Sequence, residues 1–365
     1  MKTIKKGGDL LGKGAYGCVF NIEFPCKKKK YSKRKRNNRK YISKVFFHKS
    51  AIKEAQGEYR MNRRIKKIKG YRGWCVLWDK ICRPHSHRAL YKKDRKIKEC
   101  LKKTKLTPEQ FNKKSAMLIG EYGGSSLENV FARKMKTIHT KKELIKFFLK
   151  TMKRIYPLFL GIQQLKLNGI THSDIKRGNV VLDGNTFKLI DFGLACKLND
   201  TNEMKKRSIR QYYDDRIYTP YPIDFVYAHT NKSQEDADMR AYVKGDTKRN
   251  FTEYCDIHQR IFKRENIKES IIRFLRNVSV NRTRIFETID VYSLGYLIPK
   301  AIYGDLYLSQ LTIEDIVEYF QDPQVEPFIS LFKDMTRETF FNEGERITSD
   351  EALKRFKSLI RSIRK

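Results

Sequence analysis

Apolar and polar positions alternate with a period of two at Cys18–Phe20 and again at Tyr41–Phe47 (YISKVFF), the pattern of half-buried β-strands. The second run carries one inward lysine, Lys44. From Ala51 to Ile68 the period changes to that of a helix. Met61, Ile65 and Ile68 fall on the face of Glu58, while Glu54 lies one turn earlier. SAMLIGEYGGSSLENV (Ser115–Val130) reads as a strand, a glycine-rich turn and the start of a helix. The chain turns helical from Leu127, and Glu143–Ile170 keeps an apolar stripe long enough for a central helix. Two short strands follow, Val180–Leu182 and Phe187–Ile190, joined by a turn at Asp183–Gly184. The chain has no internal repeats.

Composition narrows the setting. At 365 residues the chain can bury a large core, and it reads as one catalytic-size unit in two parts. It has no run of about 18 apolar residues, so no transmembrane segment is expected. The N-terminus lacks a hydrophobic signal segment, which predicts an intracellular protein. Seven scattered cysteines, an odd number without a framework, predict free thiols in a reducing compartment. Cys75, Cys82, His85 and His87 have zinc-binding donor types, but their spacing fits no common zinc module.

The net charge is +38, from 79 basic and 41 acidic residues. Lys27–Lys40 holds ten basic residues and no acid, so affinity for nucleic acid or another polyanion is expected there. Only Tyr31 and Tyr41 interleave with that block, which argues against base stacking and sequence-specific recognition.

The chemistry concentrates in two strings. THSDIKRGNVVL (Thr171–Leu182) sets an Asp, a Lys and an Asn on one loop, and IDFGLA (Ile190–Ala195) adds a second Asp. That set suits phosphoryl transfer, which needs metal, positioning and charge neutralisation more than covalent chemistry. Near the N-terminus, LGKGAYGCVF (Leu11–Phe20) places Gly12, Gly14 and Gly17 in G-x-G-x-x-G register. Such a loop lets backbone N–H groups approach phosphate oxygens. A dinucleotide-binding loop should run straight into a helix; here an alternating stretch and a basic tract follow instead.

Taken together, these motifs resemble those of eukaryotic-type serine/threonine protein kinases over roughly Asp9–Ile360. The resemblance implies an α+β, two-lobed protein-kinase fold: a small antiparallel β lobe with one long helix at about residues 9–119, and a larger, mostly helical lobe at about 120–360. The domain is expected to span 9–360, with basic insertions at 25–40 and 79–114 and a further insertion at 226–284.

The implied activity is ATP-dependent transfer of the γ-phosphate to protein serine or threonine, with magnesium, or manganese in its place. Asp174 would orient the substrate hydroxyl, Lys176 would neutralise the transferring phosphate, and Asn179 and Asp191 would hold the metal. Lys44 would grip the α- and β-phosphates, held by Glu58, with Glu54 as the alternative partner. Leu11, Gly12, Gly14, Gly17, Val19, Glu121 and Val181 complete the expected nucleotide site.

Gly120 falls at the gatekeeper position, which predicts an open pocket behind the adenine. YTPYPIDF (Tyr218–Phe225) resembles a degenerate A-P-E segment, with Thr219 near the catalytic loop and Asp224 paired to Arg346. Asp290 would anchor the catalytic loop. Ser173 replaces the usual arginine before the catalytic Asp, so no buried cation awaits a phosphate, and activity without loop phosphorylation is expected. Ser208, Tyr212, Tyr213 and Tyr218 are the candidate phosphate acceptors on that loop.

The glycine loop, the cysteine after it and the basic gap look like kinases of large nucleocytoplasmic DNA viruses, which implies host cytoplasm or virion, with the nucleus as a further compartment. The rival readings are a pseudokinase-like scaffold, a small-molecule or lipid kinase sharing the fold, and a polyanion-binding protein.

Overall fold

The computed structural model describes residues 10–13, 17–27, 40–47, 50–93, 107–214, 218–229 and 251–363. Gly14, Asp9 and most of the basic block at 28–39 lie outside them, as do 94–106 and 230–250 within the expected insertions. The chain divides into two units. The first takes Met1–Arg72, Val76–Gly123 and Ile190–Gly193; the second takes Gly73–Cys75, Gly124–Leu189 and Leu194–Lys365.

In the first unit, strands β1 (Leu10–Lys13), β2 (Gly17–Phe20), β3 (Tyr41–Phe46), β4 (Trp78–Cys82) and β5 (Ala116–Glu121) form an antiparallel sheet in the order β1-β2-β3-β5-β4. One face covers Phe20, Phe24, Val45, Phe47, Leu90, Phe111, Met117 and Ile119. The other packs Phe46, Ala116 and Leu118 against Ala51 and Ala55 of helix α1 (Ala51–Ile65). Alternation along β3 and β5 feeds both cores, as a sheet covered on two sides requires. β4 begins one residue before the stretch expected as an insertion, 79–114, and runs into it. Its charged Asp79 and Lys80 are exposed and hide the strand pattern.

Gly17 pairs with Phe46, and a Cβ on it would run into the Val45 carbonyl. This glycine is therefore demanded by close strand packing, apart from any approach to phosphate.

The cysteine expectation fails here. Cys26 and Cys82 form a disulfide, closing 56 residues of sequence. Backbone pairing between Pro25–Lys27 and Arg83–His85 brings the two segments alongside. Cys75, Cys196 and Cys255 form no disulfide. With Cys82 spent on Cys26, the Cys75/Cys82/His85/His87 group has no zinc-binding set to offer.

The second unit is built on helix α2 (Lys141–Leu167), which opens with a capping box from Thr140 and Glu143 and buries Phe147, Phe148, Ile155, Phe159 and Leu165. Helix α3 (Arg282–Gly304) is buried on nearly every side, so it shows no amphipathic stripe. β6 (Ser125–Ser126), β8 (Val180–Asp183) and β9 (Thr186–Leu189) form a three-stranded sheet; β7 (Ile170–Thr171) pairs with β10 (Cys196–Lys197). Within the stretch 226–284, Phe251, Tyr254, Ile267, Ile271, Phe274 and Leu275 join Ile223 and Phe340 in one apolar cluster. Residues 251–278 of that stretch thus contribute to the core, despite their charged composition. Among the described residues, no helix is long and apolar enough to cross a membrane.

Candidate active site

Two sets of chemical groups are assembled, one in each unit. In the first, β3 projects Lys44 toward α1, and its Nζ donates to Glu58 Oε2 at 2.9 Å and to Asp191 Oδ1 at 2.8 Å. Glu58 is buried one helical turn from the half-buried Glu54, and it is Glu58 that meets Lys44. Burial alone would pull the lysine toward its neutral form; the carboxylates of Asp191 and Glu58 outweigh it and hold the ammonium above its ordinary range. Burial pushes Glu58 upward, with Lys44 opposing. Asp191 has a φ of 61°, a left-handed conformation that costs a non-glycine residue energy and concentrates at functional loops. Gly193 N–H donates to Asp191 Oδ1 at 3.4 Å.

Behind Gly120 the structure corrects the expected open pocket. Trp78 lies opposite Gly120 in the β4–β5 register, and a Cβ on Gly120 would sit 3.0 Å from Trp78 Cε3 and 3.2 Å from its Cα. The indole fills the space that the missing side chain leaves. Its Nε1 donates to Glu58 Oε1 at 2.6 Å, so both carboxylate oxygens of Glu58 are engaged, one by Trp78 and one by Lys44. The sequence reading missed Trp78. Its signal would have been the register opposite a glycine in a mid-strand apolar run, which only the sheet order reveals.

Leu11 and Gly12 lie exposed on β1, Val19 on β2 opposite Lys44, and Glu121 at the end of β5. Gly14 is outside the described residues.

In the second unit, the Thr171–Val181 segment is pinned from beneath. Asp290 of α3 accepts from His172 N–H at 2.6 Å and from Ser173 N–H at 2.8 Å. Ser173, with φ of 58°, is fully buried, and its hydroxyl lies 3.1 Å from that of Thr171. Asn179 donates from Nδ2 to Asp174 Oδ2 at 2.7 Å and to its carbonyl at 3.0 Å. The Asn179 amide oxygen is left as an acceptor, a donor type that hard cations take. Lys176 Nζ stands 3.0 Å from Asp174 Oδ1. Val181 is buried in β8.

The Tyr218 hydroxyl donates to Asp174 Oδ1 and accepts from Lys176 Nζ at 3.1 Å. Tyr221 donates to the Ser173 carbonyl at 2.8 Å. The expected Asp224–Arg346 pair forms, at 3.2 Å and fully buried. A further carboxylate, Glu338, accepts from Ile223 N–H, Asp224 N–H and Tyr254 Oη; burial and the neighbouring Asp224 push it up to about 7. Neither role of Glu338 nor that of Tyr221 had a sequence signal, since each depends on a contact across many residues.

Each unit taken by itself offers groups of the kind that a hard cation and phosphate take: a carboxylate on Asp191 and an ammonium on Lys44 in the first, an amide oxygen on Asn179 and an ammonium on Lys176 in the second.

A family model described as Protein kinase domain matches residues 6–217, more than half of the chain. The chain belongs to the protein kinase family. Among curated relatives, this kinase is similar to an Invertebrate iridescent virus 3 protein named as a serine/threonine-protein kinase, with 32% identity over 118 residues, 29% of this chain and 34% of that one. It is similar to the CTD kinase subunit alpha of Saccharomyces cerevisiae, with 31% identity over 105 residues, 28% of this chain and 18% of that one. With serine/threonine-protein kinase NLK2 of Xenopus laevis it shares 37% identity over 62 residues, 16% of this chain and 14% of that one. Each alignment spans about a third or less of the relative's own length.

Proposed function

We propose that this member of the protein kinase family transfers the γ-phosphate of magnesium-bound ATP to serine or threonine hydroxyls of protein substrates. The observation that carries the reading is the cluster at Asp174: a buried carboxylate held by Asn179, on a backbone pinned by Asp290, with an ammonium 3.0 Å away. Asp174 orients the acceptor hydroxyl and takes its proton. Lys176 neutralises charge on the transferring group. Lys at this position is the serine/threonine pattern of the family that the sequence resembles. Lys44 binds the α- and β-phosphates and Glu58 keeps it in place, while Asn179 and Asp191 are assigned as magnesium ligands. Magnesium, when bound, supplies charge neutralisation on the phosphates.

Leu11, Gly12, Gly14, Gly17, Val19, Glu121 and Val181 are assigned to the nucleotide. The catalytic domain is proposed to occupy residues 9–360. The likeness to the iridescent virus protein supports a viral kinase acting in host cytoplasm or virion.

The test is transfer of labelled phosphate from ATP to a panel of basic and acidic proteins, lipids and small alcohols. Serine and threonine in protein should be labelled, and Asp191→Asn and Asp174→Asn should each abolish turnover while leaving the melting temperature near that of the parent. Near-normal activity in either variant would sink the assignment.

A further inference from the structure

In the second unit, the helix Phe251–Asp256 runs into a single π-helical turn at Ile257–Ile261, closed by the Phe262 N–H on the Ile257 carbonyl at 3.2 Å. Wide turns of this kind concentrate at functional sites. Side chains along it sort in pairs. Ile257 and His258 are buried, Gln259 and Arg260 are exposed, and Ile261 and Phe262 are buried again.

Lys263 follows, exposed and with a φ of 51°, a left-handed conformation that costs a lysine energy. The next residue holds it there. Arg264 is buried and donates to Glu343 Oε2 from Nε at 3.0 Å and from Nη2 at 2.6 Å. It also donates to His258 Nδ1 at 2.7 Å, Thr336 Oγ1 at 3.2 Å and the Lys333 carbonyl at 2.9 Å. With Arg264 fixed inward, Lys263 is kept at the surface.

The helix Ile313–Phe320 buries Ile316, Tyr319 and Phe320, which leaves Val317 and Gln321, one turn apart, on its outer side. Gln259, Arg260, Lys263, Val317 and Gln321 line a cavity of about 430 Å³, a size that ligand pockets have. Among these lining residues there is no carboxylate. Those nearest in sequence are already engaged. Asp256 accepts from Tyr303 Oη at 2.9 Å and lies 4.0 Å from Arg260 Nε, and Glu318 accepts from Lys141 Nζ at 2.6 Å.

Two cations and two carboxamides around one cavity are a donor set for an anion on a peptide. A guanidinium takes phosphate with paired N–H groups, an ammonium adds charge, and carboxamides bond peptide groups as donor and acceptor. No aromatic ring lines the cavity, so a nucleic-acid base would have nothing to stack on. Resting on the kinase reading, we propose that this cavity binds the phosphoserine or phosphothreonine side chain of a protein already modified by the enzyme. Arg260 and Lys263 hold the phosphate, Gln259 and Gln321 hold the peptide groups beside it, and Val317 meets a neighbouring apolar side chain. Substrates with several acceptor hydroxyls are thereby retained after the first transfer.

The experiment uses the purified full chain without nucleotide and follows the fluorescence anisotropy of labelled glycine–alanine peptides that carry either phosphoserine or serine. The phosphoserine peptide should bind about tenfold more tightly. Arg260→Gln and Lys263→Gly should each remove most of that difference. Glycine adopts the left-handed conformation without strain, so Lys263→Gly should melt no lower than the parent. Lys53→Gln, at an exposed position of α1, controls for charge alone.

Equal binding of the two peptides overturns the inference, and so does an equal loss in Lys53→Gln. Single-stranded RNA whose binding falls in the same two variants would make the occupant nucleic acid and overturn it as well. Asp191→Asn should bind the phosphopeptide as the parent does; loss of binding there would tie the ligand to the catalytic residues and overturn a separate cavity. An active parent without preference for the phosphopeptide overturns this inference and leaves the kinase reading standing. An inactive parent that still prefers it overturns the kinase reading and supports the cavity.

Discussion

Glu58 shows how much one side chain depends on its neighbours. Trp78 Nε1 and Lys44 Nζ each hold one carboxylate oxygen, so the indole fixes the rotamer from which Glu58 meets the lysine. Trp78→Phe keeps an aromatic ring in the space behind Gly120 and deletes the N–H. A hydrogen bond to a charged group contributes roughly 1.5–3 kcal/mol, so kcat/KM for ATP should fall by about 10- to 100-fold with little loss of melting temperature. Unchanged ATP kinetics would remove Trp78 from the positioning of Glu58. Gly120→Phe behaves differently from a simple gatekeeper enlargement. The first carbon added already meets backbone at Trp78 Cα, 3.2 Å, and the Leu77 carbonyl, 3.3 Å. Overpacking of this kind costs about 1–3 kcal/mol, so the variant should melt earlier, and calorimetry checks it. A variant as stable as the parent would mean that the sheet yields there freely.

The element scale is governed by how segments distant in sequence satisfy each other's buried charges. Asp224 begins a short helix at Ile223–Val226, and Arg346 precedes the last helix, Ser349–Ser362; their ion pair joins the two across 122 residues. Removing one partner of a buried pair strands the other, so Arg346→Leu should cost about 3–5 kcal/mol of stability, read from a denaturant titration.

Glu338 lies beside this pair and is raised from 4.5 to about 7, by burial first and then by Asp224. Between those values the native state keeps a proton that the unfolded chain has released. Stability should therefore fall as pH rises from about 5 to about 7 and level off above. Glu338→Gln should flatten that slope in melting curves taken across the range; an unchanged slope would assign it to other groups. The same scale shows where sequence patterns reach their limit. The strand pattern of β3 and the helical stripe of α2 are visible because each has one consistent environment along its length. β4 is not, because its exposed Asp79 and Lys80 break the alternation, and the 251–276 region is not, because its apolar residues are diluted by charge.

At the scale of the whole chain, the +38 charge and the seven cysteines suggested a reduced, polyanion-seeking protein, yet Cys26 and Cys82 are bonded. In a chain-entropy account, closing a loop of 56 residues restrains the unfolded state by roughly 4 kcal/mol. Dithiothreitol should lower the unfolding midpoint of the parent by more than that of Cys26→Ser/Cys82→Ser, in which Cys18 is still disulfide-bonded; equal shifts in the two proteins would count against the bond.

The sequence by itself determined the family and pointed to the residues proposed for its chemistry. Asp174, Lys176, Asn179 and Asp191 sit in short contiguous strings whose spacing is set by local backbone, and Lys44 and Glu58 are one strand and one helix whose periods can be read directly. Only the tertiary structure decided what stands against these residues: Trp78 behind Gly120 and on Glu58, Tyr218 on Asp174, Glu338 beside Asp224, Cys26 on Cys82. Such contacts join residues 20 to 114 positions apart in the sequence. No local period or motif encodes them, because they arise from close packing of surfaces whose register is set only when the whole chain has folded.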